Sequence, residues 1–62
     1  MTKNQYRWHI RRLGLSQLRA AEWLEIAPRT SQGYALGEQP VPGAIAKLLR
    51  LMVRLNIKPD EV

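Results

Sequence analysis

The stretch LSQLRAAEWLEIAPRTSQGYALG, Leu15 to Gly37, decides the reading of this chain. Ser16 is a good N-cap, because its hydroxyl can accept a backbone N–H that the first helical turn leaves unbonded. Ala20, Ala21 and Leu24 then recur at helical spacing and form an inward face, with Arg19, Glu22 and Trp23 pointing more outward. Two alanines on that face permit close approach of a neighbouring helix. Pro28 suits the first position of the next helix, where its missing N–H is not needed, and Gly37 supplies the stop. The stretch therefore predicts two short helices, Ser16 to about Leu24 and Pro28 to about Leu36. Only Glu25-Ile26-Ala27 separates them, which is a helix-turn-helix arrangement.

The flanks read the same way. From about Lys3 to Leu13, the residues Tyr6, His9, Ile10 and Leu13 share one face and Asn4, Arg7 and Arg11 the other. Gly14 stands where a left-handed cap is wanted, with Leu15 closing the end hydrophobically. After the loop Glu38-Gln39-Pro40-Val41-Pro42, a fourth helix is predicted from Pro42 or Gly43 to Leu55. Its apolar residues Ile45, Leu48, Leu49, Leu51, Met52, Val53 and Leu55 spread over about 200°, with Lys47, Arg50 and Arg54 on the narrow polar side. Pro59-Asp60-Glu61 can begin a fifth, short turn. The expected architecture is all-α: one domain over residues 1–62, with four or five helices.

Composition narrows the function. Sixty-two residues bury a thin core. With no cysteine and one histidine, neither disulfides nor a zinc cage can reinforce it. No metal or cofactor is expected. Ten Lys and Arg against five Asp and Glu leave a net charge of +5, which favours an anionic partner. The N-terminus carries no apolar signal-peptide core and Met1 reads as a natural start. The apolar stretches fall well short of a membrane span, so the cytoplasm is the expected compartment. The acidic residues are scattered, no nucleophile sits in a strand-turn-helix setting and no glycine-rich phosphate loop occurs, so no enzyme is expected.

The run Leu15-Ser16-Gln17, Ala20-Ala21, Leu24, Ile26, Thr30, Tyr34, Gly37 and Pro42 resembles the lambda-repressor-like, or XRE/Cro-type, helix-turn-helix family, over residues 13–52. The resemblance implies a bacterial or phage transcriptional regulator that binds double-stranded DNA and associates with the nucleoid. Gln17 and Arg19 would meet the sugar-phosphate backbone, aided by the helix N-terminus. Pro28, Arg29 and Gln32 would enter the major groove, with Gly33 one turn further along that surface. Arg29 would fork onto guanine and Gln32 would reach adenine or a phosphate. Thr30 is a further candidate, packing or capping within the turn.

Four positions depart from the family pattern. Glu25 replaces the turn glycine, at about 1 kcal/mol if φ is positive. Ala27 replaces a Ser or Thr cap, at about 1 kcal/mol. Ser31 replaces an apolar plug. Gly33 lies inside the recognition helix, weakening it by up to about 1 kcal/mol. These departures keep a second function class open, a protein-interaction module on the same fold, with Trp8 or Trp23 as its contact. Separately, Leu51, Val53 and Leu55 are candidates for a two-fold dimer contact, and the covering of these residues by the tail is the alternative.

Overall fold

The structure is a computed structural model that describes residues 1–61. It is all-helical: α1 (Lys3–Arg12), α2 (Gln17–Leu24), α3 (Pro28–Leu36), α4 (Gly43–Leu55) and a 3-10 turn at Pro59–Glu61. No strand occurs among the described residues. The first two helices are each one residue shorter than read from sequence, because Leu13 and Ser16 serve as caps.

Each helix starts where the chain can satisfy or dispense with its first N–H groups. Thr2 and Gln5 form a reciprocal capping box: the Gln5 N–H donates to Thr2 Oγ1 at 3.1 Å and the Thr2 N–H to Gln5 Oε1 at 2.9 Å. Ser16 Oγ accepts from the Arg19 N–H at 3.1 Å. Ala27 and Pro42 offer no side-chain cap, so α3 relies on Pro28 at its first position.

All four α-helices end alike. A residue in the left-handed region follows or closes each one: Gly14 at φ 79°, Glu25 at 58°, Gly37 at 78° and Asn56 at 55°. The next N–H then reaches back: Leu15 to the Ile10 carbonyl, Ile26 to Ala21, Glu38 to Gly33 and Ile57 to Met52, at 2.8–3.0 Å. This is the Schellman pattern, which satisfies carbonyls the helix leaves open. At Leu15 and Ile26 it also turns an apolar side chain onto the core. Glu25 thus holds the positive φ that the turn requires, at the cost borne by a residue with a Cβ.

The core draws Tyr6, Ile10 and Leu13 from α1, Ala20 and Ala21 from α2, Tyr34 and Ala35 from α3, and Ala46, Leu49 and Met52 from α4. The fully enclosed alanines Ala20, Ala21 and Ala35 let α2 and α3 pack closely on one another and on α1. Tyr6 and Tyr34 meet edge to face, their centroids 5.4 Å apart. Two expectations are corrected. Leu24 is only half-buried, at the rim beside Ala44, Ile45 and Leu48 of α4. Trp23 instead packs against the core, and its indole N–H donates to the Pro59 carbonyl at 3.1 Å, fastening the tail to α2. The indole is the larger group and gains more by burial, so it takes the inward place.

Among the described residues the core encloses one serine. Ser31 has no exposed surface, and its hydroxyl donates to the Gln17 carbonyl at 2.9 Å. Its single proton is thereby used, so the Tyr6 hydroxyl, 2.6 Å away, donates to Ser31 Oγ. The apolar plug expected at this position is replaced by a hydrogen-bonded link from α1 through α3 to the first residue of α2.

Ser31→Ala strands the Tyr6 hydroxyl and is expected to destabilise the fold by about 1–3 kcal/mol, whereas Tyr6→Phe should cost less because Ser31 keeps its carbonyl. Urea unfolding of the two variants tests the ranking, and equal losses would contradict this direction of donation. Burial also pushes the Tyr6 phenol above its ordinary 10.0, outweighing the opposite effect of the Ser31 hydrogen bond, with the neighbouring Tyr34 phenol adding to the rise. The unfolded chain then loses that proton first, so Tyr6 contributes stability that is present below the ordinary value and is lost as pH rises above it. The unfolding free energy is expected to fall as pH passes 10.0, less steeply in Tyr6→Phe than in the wild type.

Candidate nucleic-acid interface

α1 carries Lys3, Arg7, Arg11 and Arg12 and no acidic residue. Lys3, Arg7 and Arg11 recur every four residues and so form one ridge along the helix. At one end, the Lys3 stem lies over Gly37, where an added Cβ would come within 3.1 Å of Lys3 Cδ. The ridge therefore begins beside the C-terminal, partially negative end of α3. At the other end the ridge meets the start of α2. Arg7, Ile10, Arg11, Leu15, Ser16 and Gln17 line one cleft there. Arg7 is half-buried, and among the described residues its enclosed Nε has no hydrogen-bond partner. With Arg11, Arg7 brings two guanidinium charges to one cleft, which favours an anion there. α2 adds to it, since the first N–H groups of a helix have no partner within it and the Ser16 hydroxyl takes only that of Arg19.

α3 presents a second surface. Pro28, Arg29, Gln32 and Leu36 line a hollow with Glu38, and Arg29 and Gln32 are exposed. Thr30 is half-buried. The two surfaces adjoin, because Ser31 binds the Gln17 backbone and is the residue before Gln32.

Gly33 does not join that surface. It is buried, and the loop after α3 folds back onto it: the Glu38 and Gln39 N–H groups both donate to its carbonyl, at 2.9 and 3.3 Å. The Gln39 side chain lies so close that an added Cβ would be 2.9 Å from Nε2. Glycine stands here for the close approach of the loop, not as a gap left on a groove-facing surface. Arg19 is likewise separated from Gln17. Two residues apart on a helix lie about 200° around it, and Arg19 is found with Glu22, Trp23, Pro59 and Asp60. Its contact to Glu22, at 3.9 Å between exposed side chains, adds little.

The remaining candidates are dispersed. Trp8 is 54 % exposed, with its ring against His9. The His9 Nδ1–H donates to the Gln5 carbonyl at 2.6 Å. Leu51 and Leu55 are exposed, whereas Val53 packs against the core. Val53 is therefore removed from the expected dimer contact: at ~100° per residue it lies about 160° around α4 from both leucines. Among the described residues no cluster of His, Asp and Glu could hold a metal ion, and no helix is long and apolar enough to cross a membrane.

Arg7 and Arg11 join the candidate site, whereas the sequence places them only on the face of α1 opposite its apolar one. Their signal was the fourfold spacing from Lys3 on a helix free of acids, though nothing in that spacing told which element the ridge would meet. Compared with protein-family models, curated proteins and solved structures, the chain matches none.

Because Gln39 fills the space over Gly33, Gly33→Ala is expected to be more favourable in a Gln39→Ala background than in the wild type, by about 0.5–1 kcal/mol in a double-mutant cycle. Additive effects in thermal or urea unfolding would show that the two residues do not compete for that space.

Proposed function

We propose that the chain binds double-stranded DNA as a small transcriptional regulator with a lambda-repressor-like helix arrangement. The observation that carries this reading is the convergence of Arg7, Arg11, Ser16 and Gln17 at the start of α2, beside the exposed Arg29 and Gln32 of α3. In this reading a phosphate enters the α2 cleft. It accepts from the Arg7 and Arg11 guanidiniums, from the Gln17 amide and from free N–H groups of the first turn, with the helix dipole in support. That contact fixes the register of the duplex without reading its sequence. α3 then lies in the major groove with its N-terminal residues toward base edges. Arg29 can donate to both O6 and N7 of guanine, and Gln32 can pair with adenine or reach a phosphate.

Base reading rests on two side chains, so selectivity is modest and affinity is dominated by phosphates. A second reading, a protein-interaction module, is favoured by one observation. Leu36, 44 % exposed, and Glu38 share the hollow with Arg29 and Gln32, and an apolar group beside an acid suits a protein surface better than a phosphodiester.

Fluorescence anisotropy with random-sequence duplex DNA at two salt concentrations separates the readings. DNA binding predicts affinity that falls steeply with salt. Arg7→Ala should weaken binding to all sequences alike and lower the salt slope by about one, while Arg29→Ala should cost about 1–3 kcal/mol and relax one base position. Absence of binding at low salt would reject the DNA reading and send the search to protein partners.

A further inference from the structure

Among the described residues six large apolar side chains are substantially exposed, and three of them, Leu48, Leu51 and Leu55, belong to α4. With the exposed Ala44 they follow the spacing 4-3-4, which confines them to about 60° of the helix at ~100° per residue. This is the seam by which one helix packs along another. The alternative of burial by the tail does not apply to it, since the tail is fastened to α2 through Trp23 and Pro59 and leaves Leu51 and Leu55 52 % and 57 % exposed.

The two flanks of the seam carry opposite charge. On one side Lys47, Arg50 and Arg54 border Leu51. On the other, Glu22 and Glu25 border Ala44, Ile45 and Leu48, on the side of α4 that faces α2. A face with apolar centre, basic left flank and acidic right flank is complementary to itself under one of the two symmetric pairings. If two copies are related by a two-fold axis running along α4, the helices lie parallel and each basic flank faces the other copy's acidic flank. If the axis runs across α4, the helices are antiparallel and like flank meets like. Like charges placed face to face disfavour that second arrangement.

We propose that a second copy of this chain covers the Ala44–Leu48–Leu51–Leu55 seam, with the two α4 helices parallel and Lys47 of each copy facing Glu22 and Glu25 of the other. Lys47 stands at the same level along α4 as the acidic pair, between Ala44 and Leu48, and so is the basic residue that meets them. The proposal is independent of nucleic-acid binding, because none of these residues lines the α2 cleft or the α3 hollow.

Sedimentation equilibrium of the full chain tests it. The wild type is expected at twice the chain mass of 7.2 kDa, and Leu51→Lys and Leu55→Lys, both at exposed positions, at half the wild-type value with an unchanged circular dichroism spectrum. Lys47→Glu alone and the double variant Glu22→Lys/Glu25→Lys alone should each be monomeric or nearly so. Mixed in equal amounts they should regain the dimer mass, since one contact then keeps its native sign and the other is restored with its sign reversed. A wild-type monomer up to the limit of solubility overturns the proposal, as does a dimer that survives both leucine variants. Failure of the mixture to recover the dimer, or charge variants that dimerise as the wild type does, overturns the parallel pairing.

Discussion

The hydrogen-bonded line from Tyr6 through Ser31 to the Gln17 carbonyl is the constraint on which the rest of the arrangement hangs. It joins three helices at the one place where their polar groups meet inside the protein. Each of its two protons has one acceptor. The phenol needs an acceptor once it is buried, the serine proton needs a carbonyl, and the Gln17 carbonyl lies at the very start of α2. A buried polar chain of this kind is favourable only when complete, so it selects one relative position of the helices where apolar packing alone would accept several. The position selected sets the α2 cleft against the exposed side of α3. The geometry of the candidate interface is thus decided by two hydroxyl groups that do not belong to it.

The helices were legible because their ends are written locally. Ser16, Pro28, Gly14 and Gly37 act through the backbone of their own segment, and each stands where α2, α3 or α1 begins or stops. Glu25 shows the same rule at work against residue preference: the turn demands a left-handed residue there and obtains one at some cost. What could not be read locally was anything that depends on a distant neighbour. Gly33 looked like a weak point in an exposed helix until Gln39 was found over it. Ser31 looked like a defect in the plug until Tyr6 supplied its partner. Trp23 looked outward, and its indole N–H found Pro59, thirty-six positions along the chain. The spacing of Arg7 from Lys3 and Arg11 placed it on a ridge, but its partial enclosure against α2 is not something periodicity reports.

Charge is divided among the helices in a way that bears on function. α1 is wholly basic, α3 contributes one cation, and α4 holds its three cations on the side away from the core. The five acids avoid α1. Positive potential therefore concentrates along the Lys3–Arg7–Arg11 ridge, and α3 lies beside this field rather than at its centre. Such a distribution draws in a polyanion and positions it, and leaves discrimination to a few groups.

Stability and association are linked through the composition of the core. Four of its buried residues are alanines, and Tyr6 and Leu49 are the only large apolar side chains completely enclosed among the described residues. Close approach of the helices is obtained at the expense of apolar volume, so the monomer gains less from burial than its 45 % hydrophobic content implies. The leucines that would have thickened the core stand on the outer side of α4 instead. A thin core and an uncovered leucine seam then express one choice of sequence. Alanine brings α2, α3 and α1 together tightly enough to form the Tyr6–Ser31–Gln17 line, and the apolar surface left over on α4 becomes available for contact between chains.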